Sequence, residues 1–213
     1  AGVLAGVASG FASNEDLLVF RRFLDALGVG YSGVAIPKGD SDAILVKAEK
    51  APNGEGARAL GFADAKALAN QIAGGGVDGL VVLGHGLLDA GYLGGEAALA
   101  KLDTVIVLDT HVSALERAAH VMLPVRHAAE KDATYVNHAG RVQRSWPVIE
   151  PSFEAYADGE VLARLGAALG LEGFDGKFDV LEVSRGLGAA APAFRGIDLS
   201  TVGEQGTPLA GKA

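Results

Sequence analysis

Apolar residues along this chain follow two rhythms. Residues 79–83 and 105–108 are uninterrupted apolar runs, the pattern of strands covered on both faces of a parallel sheet. Residues 3–7 and 121–123 are shorter apolar runs, the second closed by Pro124; both are predicted as strands, the second of them buried. Residues 43–47 make a further strand candidate. Elsewhere the spacing changes to three and four. Leu17, Phe20, Leu24 and Leu27, widened by Phe23, mark one face of a helix. Ser13 is placed to cap it, Asp16 completes a capping box, and Gly28 stops it. Helices are also predicted over 63–73, ended by the glycines at 74–76, over 113–120, over 154–169, stopped by Gly170, and over 179–189. Residues 87–102 lie between two strands and are long enough for a crossover helix, which makes the unit parallel and right-handed.

Turn chemistry supplies the punctuation. Small residues at 8–12 and the Pro, Asn and Gly content of 50–56 read as loops. Residues 134–137 and 141–143 are predicted to pair as a hairpin across His138, Ala139 and Gly140, with Gly140 in the left-handed position. The alternation of strands and helices implies an α/β fold: a mostly parallel open sheet, Rossmann-like, with helices on both faces, plus a hairpin and C-terminal helices. The expected organisation is one domain over residues 1–213. Its core is residues 1–195, and the Gly, Thr and Ser content of 196–213 predicts a loosely held tail. The opening lacks Met and a basic n-region, so it reads as a cut within a longer chain rather than a signal peptide.

Composition narrows the chemistry. With 213 residues, 49% of them hydrophobic, the chain can bury a substantial core. A net charge of −8 with no basic block argues against nucleic acid and anionic membranes as partners. Apolar stretches are broken by Gly, Asp and Lys, so direct membrane insertion is not expected. There is no cysteine, and hence no disulfide, thiolate nucleophile or cysteine-ligated iron–sulfur cluster.

Candidate sites are few. Gly6 and Gly10 precede a capped helix, where a backbone can approach a phosphate, but they do not complete a dinucleotide fingerprint; a tight strand–helix turn is the simpler reading. His85, between Gly84 and Gly86, and Asp109 both follow strands, at the end of a parallel sheet where ligands bind. His85 reads as a loop histidine facing solvent or a partner. Asp109 could accept hydrogen bonds from a ribose or guanine, or cap the helix region at Ser113 through a turn. His111, His120 and His127, with Glu130 behind, lack the four-residue helical spacing of a zinc motif, so no metal is expected. There is no nucleophile elbow and no P-loop. Trp146 and Tyr135 read as packing.

Three segments carry a resemblance. Residues 130–143, reading EKDATYVNHAGRVQ, with Ala119, His120, Val121, Met122, Leu123 and Pro124 before them, are similar to the E-K-x-G-T-x-x-N-x-E-G-R-x-Q stretch and A-D-x-x-L-P element of the molybdopterin oxidoreductase family. Asn14, Glu15 and Asp16 resemble its T-N-E-E helix start. Residues 48–61 resemble a D-K-x-P-N-x-x-G-A-x-x-L-G segment typical of one branch, the G-type subunits of bacterial NADH–quinone oxidoreductase (complex I). Residues 191–196 and 203–206 also resemble that branch.

There are departures. His85-Gly86 stands where relatives carry an acidic residue or Asn followed by Pro, and Ser113-Ala114-Leu115-Glu116 stands for T-E-T-A. His120 replaces the Asp of A-D, and Ala139 the Glu of E-G-R. The resemblance therefore implies a structural, redox-silent domain with no catalytic residue, no metal and no cofactor of its own. Asp109, Lys131, Asn137, Gly140 and Arg141 would line a vestigial pocket. Iron–sulfur clusters elsewhere in the parent subunit would carry electrons from NADH to quinone. Expected partners are the rest of that subunit and the other hydrophilic-arm subunits, on the cytoplasmic side, peripheral to the inner face of the plasma membrane. The alternative is a cofactor-binding fragment of a molybdopterin-dependent enzyme such as a formate dehydrogenase, with Asp109, Lys131, Asn137 and Arg141 on a guanine dinucleotide. A third is an unrelated nucleotide-binding α/β protein.

Overall fold

The computed structural model describes residues 2–88 and 90–211; expectations touching Ala1, Asp89, Lys212 and Ala213 lie outside the described residues. The chain begins with β1 (Leu4–Ser9), α1 (Asn14–Ala26) and β2 (Tyr31–Ala35), then α2 (Gly54–Ala59), β3 (Ala63–Asp64) and α3 (Lys66–Ala73). β4 (Gly79–Leu83), a single-turn α4 (Glu96–Leu99), β5 (Thr104–Asp109) and β6 (Val121–Pro124) complete a six-stranded sheet in the order β3-β2-β1-β4-β5-β6. All five neighbouring pairs are parallel. The hairpin β7 (Ala133–Val136) and β8 (Arg141–Ser145) follows, then α5 (Asp158–Ala168), α6 (Val180–Ala190) and β9 (Thr207–Pro208), which adds antiparallel to β8.

The period-two alternation of the strands divides the core into two layers. Ala5 and Val7 of β1, Leu80 and Val82 of β4 and Val105 and Val107 of β5 pack against Leu68 and Ile72 of α3 and Leu99 of α4. Ala8, Val81, Leu83 and Leu108 face the other way, onto Leu17, Phe20 and Leu24 of α1, Leu162 of α5 and Leu187 of α6. Gly6 lies on this second face because a Cβ there would fall 2.3 Å from Leu24 Cδ1. Its glycine serves close strand–helix packing.

Several predicted elements differ. The second strand is Tyr31–Ala35, whose Ser and Gly hide its apolar character. Residues 43–47 instead form a turn in which Asp42 Oδ1 accepts from the N–H groups of Ile44, Leu45 and Val46 at 2.9, 2.6 and 2.8 Å. Residues 63–64 pair with β2 and so delay α3 to Lys66. Residues 54–56, read as loop, open α2. Among the described residues of 87–102 the one helix is the single turn of α4, because Gly91, Gly94 and Gly95 turn the chain at φ +77°, +74° and +89°. The helix expected over 113–120 is a 3-10 turn, Ala114–Arg117, and α5 starts at Asp158. β6 pairs only with β5 and is an edge strand, so Val121 is 46% exposed rather than buried.

The segment beyond residue 195, expected to be loosely held, buries Ile197, Leu199, Val202 and Leu209. Leu209 N–H donates to Gly140 O at 2.8 Å, and Leu199 N–H to Ser184 Oγ at 2.9 Å. Its small polar residues make turns between well-spaced apolar anchors. α6 starts as its sequence suggests: Asp179 Oδ1 accepts from Leu181 N at 2.8 Å and Glu182 N at 3.1 Å. Removing this cap by Asp179→Ala should cost about 1 kcal/mol in urea unfolding, without changing the denaturant slope.

Candidate functional site

Strand order reverses between β1 and β4, and in an open parallel sheet that switch point opens a crevice beyond the carboxyl ends of the strands. Three neighbouring strands end there: β1 runs out into Gly10 and Phe11, β4 into Gly84 and His85, and β5 at Asp109. A cavity of about 240 Å³ lies at this edge, walled by Phe11, Gly84, His85, His127, Lys131 and Tyr135 among others. Gly84 adopts φ +91°, and a Cβ there would sit 2.8 Å from Ser9 Cβ, so the β4 loop is pressed onto β1 by a residue only glycine can replace without strain. Gly10 is likewise hemmed in, its absent Cβ 2.8 Å from Ala51 Cβ. Neither Gly6 nor Gly10 leaves the open backbone a phosphate would need.

Beneath the cavity lies a buried polar network drawn from all three family-like segments. Lys131 Nζ, 8% exposed, donates to Asp16 Oδ2 at 2.6 Å and also to Asp158 Oδ2. Asp16 further accepts from Ser13 Oγ at 2.6 Å and, through Oδ1, from Gly159 N at 2.8 Å. Glu15 accepts from Thr134 N at 2.8 Å and Thr134 Oγ1 at 2.7 Å, and Asn14 Nδ2 donates to Thr134 Oγ1 at 2.9 Å. Asn53 Nδ2 donates to Ala12 O at 2.8 Å while its Oδ1 accepts from Val136 N at 2.7 Å. The amino ends of α1 and α5 and the β7–β8 hairpin are thus tied together by side chains, where neither backbone ladder reaches.

Burial dominates the ionisation of this network. It pushes the Glu15 carboxyl up to about 7, against the pull of the two Thr134 hydrogen bonds. It also raises Asp158, to about 6, despite the Lys131 charge beside it. Asp16 is desolvated too, but the Lys131 ammonium and the hydrogen bonds from Lys131, Ser13 and Gly159 outweigh that and hold it below the usual range. Burial alone would lower Lys131; the charges of Asp158 and Asp16 outweigh it and keep the lysine protonated well above its usual range.

Of the expected pocket residues, Lys131 and Asp109 reach this edge, and the other three serve the hairpin. Asn137 Oδ1 accepts from Ala139 N at 3.0 Å and Arg141 N at 3.1 Å, and its Nδ2 donates to Gln143 Oε1 at 3.0 Å. Gly140 takes φ +74°, as a left-handed turn position requires. Arg141 Nη1 donates to Gln205 O at 3.3 Å and Gly206 O at 3.0 Å, stapling the C-terminal segment to the hairpin. Asp109 is 2% exposed and accepts from His111 N at 3.2 Å and Ser113 Oγ at 3.5 Å, the turn-capping geometry of the two open at sequence level. Burial raises its carboxyl, with the His111 N–H bond and the neighbouring His85 pulling it back.

The histidines separate. His120 is at the amino ends of β5 and β6, away from the cavity, its Nδ1 accepting from Val105 N at 3.0 Å. His85, His111 and His127 form a row above the cavity edge, ring centroids 5.9 Å apart for the first pair and 6.4 Å for the second. His127 caps a 3-10 turn with Glu130, whose Oε2 accepts from His127 N at 2.8 Å. Trp146 is half exposed, its ring 5.1 Å from the Arg144 guanidinium, and so is not core packing. Tyr135 does pack against the cavity, but its hydroxyl is buried without a partner among the described residues.

The pterin dinucleotide associated with this family can be tested against these groups. Its phosphates need free cations and its guanine needs unspent donors and acceptors. Lys131 is held between two carboxylates, and Asn137 and Arg141 are committed to the hairpin. The cavity is also smaller than the roughly 300–1,000 Å³ of sites for drug-sized ligands. Lys131, Asn137 and Arg141 do not fit that group.

Comparison with known proteins places the chain. The family model for molybdopterin oxidoreductase matches residues 48–168. "Probable oxidoreductase YjgC" of Bacillus subtilis is 34% identical over 85 residues, 40% of this chain and 9% of the relative. "F420-dependent formate dehydrogenase subunit alpha" of Methanocaldococcus jannaschii is 32% identical over 105 residues, 48% of this chain and 15% of the relative. The chain thus spans only a small part of the length of these relatives. The family match covers more than half of the chain, including the β7–β8 hairpin and Asn53, Lys131, Thr134 and Asp158 of the network that anchors it, and this chain belongs to the molybdopterin oxidoreductase family.

Proposed function

We propose that this chain is a structural, redox-silent domain of the G-type subunit of an NADH–quinone oxidoreductase. It holds its shape against the rest of that subunit and neighbouring hydrophilic-arm subunits while clusters outside it carry electrons from NADH to quinone. The assembly sits at the cytoplasmic face of the membrane; among the described residues no helix is long and apolar enough to cross one. One observation carries this reading. The two cationic side chains expected to meet a cofactor are consumed within the protein, Lys131 by Asp16 and Asp158, and Arg141 by Gln205 and Gly206. Such groups fasten a hairpin to a sheet and leave little to bind a charged cofactor.

A second reading, a fragment of a molybdopterin-dependent oxidoreductase, is favoured by the relative named as a formate dehydrogenase subunit. Purification of the affinity-tagged parent protein from its own cells separates the two. The expected product is an NADH-oxidising, iron–sulfur-containing assembly free of stoichiometric molybdenum. Formate oxidation with stoichiometric molybdenum would overturn the structural reading. For the chain itself, calorimetric titration with guanosine monophosphate should show no saturable binding below millimolar concentration, and micromolar binding would count equally against it.

A further inference from the structure

The carboxyl ends of β4 and β5 bring together three groups that neither the hairpin network nor the proposed structural role uses. One ligand-capable atom each from His85, Asp109 and His111 lies within 4.8 Å of the others. His85 is distant in sequence from Asp109 and His111, which stand two residues apart, and the neighbouring parallel strands β4 and β5 deliver all three to one point. We propose that His85, Asp109 and His111 form a binding site for a single divalent transition cation of the zinc, cobalt or nickel type.

Donor chemistry supports that class. Two imidazoles and one carboxylate are a known three-ligand set for zinc, and oxygen-seeking magnesium or calcium would not favour the two nitrogens. Tetrahedral coordination at about 2.1 Å places donors about 3.4 Å apart. The set must therefore contract by roughly an ångström, and rotation about the side-chain bonds of His85 and His111 can supply it. Asp109 is buried and anchored, while His85 is half-buried and His111 exposed.

The surroundings also orient the ligands. Asp109 is positioned by His111 N–H and Ser113 Oγ. Thr110 Oγ1 lies 2.7 Å from His111 Nδ1, and the tautomer that donates there leaves the Nε2 lone pair free for a cation. The His85 ring packs against Phe11 at 4.9 Å and His111 at 5.9 Å between centroids and lies beside the Asp109 carboxylate. A three-ligand set leaves a coordination position for water, and His85 also forms part of the cavity wall, so an exchangeable ligand could reach the ion.

The test is titration of the untagged, chelator-treated full chain with cobalt(II), read by visible d–d absorption, and with zinc by calorimetry. One equivalent should bind at micromolar affinity. His85→Asn and His111→Asn should each weaken binding by about tenfold or more, with Asp109→Asn as a third arm. His120→Asn, at the amino ends of β5 and β6, should change it less than about twofold. Urea unfolding of each variant confirms that the fold is kept. Binding no tighter than millimolar, or micromolar binding that His85→Asn and His111→Asn leave unchanged, would overturn the site.

Discussion

Replacing Lys131 by Met is expected to lower the unfolding free energy by about 3–5 kcal/mol at pH 8, the cost of breaking a buried ion pair from one side. Lys131 Nζ is 2.6 Å from Asp16 Oδ2 and also contacts Asp158, and all three side chains are nearly inaccessible to solvent. Met matches the length of the lysine stem but leaves two desolvated carboxylates facing each other. Those carboxylates can escape only by taking up protons, so the loss should be smaller at pH 5 than at pH 8. Adding Asp158→Asn to Lys131→Met should recover part of it, because a neutral amide removes one buried charge and the repulsion with Asp16. Urea midpoints at the two pH values check both points. A loss below about 1 kcal/mol at pH 8 would show that the triad does not hold the hairpin to the sheet.

Much of the fold was legible because burial writes itself into periodicity. The apolar runs of β4 and β5 and the stripe on α1 could be read directly, as could Gly140, which the hairpin needs at positive φ. Tyr31–Ala35 was not, because Ser32 and Gly33 interrupt the run; Gly33 is there because β3 and the start of α3 approach closely, with Ala65 Cα 3.1 Å from where its Cβ would be. Residues 43–47 have a strand-like composition, but Asp42 accepts three consecutive backbone N–H groups and closes a turn.

The site was legible only in part for a related reason. Glu15, Asp16 and Asn53 stood inside recognised segments, yet nothing in their spacing shows that Asp16 meets Lys131 or that Asn53 bridges Ala12 and Val136. Those contacts depend on strand order. The same holds for His85, Asp109 and His111: metal ligands sought at helical spacing are His111, His120 and His127, whereas the sheet leaves His120 at the amino end of its strands and brings His85 in at the carboxyl end. Strand ends that are neighbours in space, rather than residues that are neighbours in sequence, are the signal that would have found them.

Stability should fall as the pH rises from about 5 to about 7, and Glu15 is the main reason. Its carboxyl is raised by burial from 4.5 to about 7 in the folded protein. Between those values the folded chain binds a proton that the unfolded chain has released, so the unfolding free energy decreases with pH. One such proton gives a slope approaching 1.4 kcal/mol per pH unit, or roughly 3 kcal/mol across the window. Asp158, raised to about 6, acts in the same direction. Asp16, held below its usual range, has the opposite sign, but its stabilisation is lost only as the pH falls below about 4, outside the window. Glu15→Gln imitates the protonated acid: its carbonyl can accept from Thr134 N–H and its amide can donate to Thr134 Oγ1. It should therefore flatten the decline, leaving a shallower slope from Asp158. Urea unfolding at constant ionic strength from pH 5 to pH 7.5 measures both curves. A native curve that is level or rising over that range, or a Glu15→Gln curve as steep as the native one, would show that Glu15 is ionised and accommodated at neutral pH.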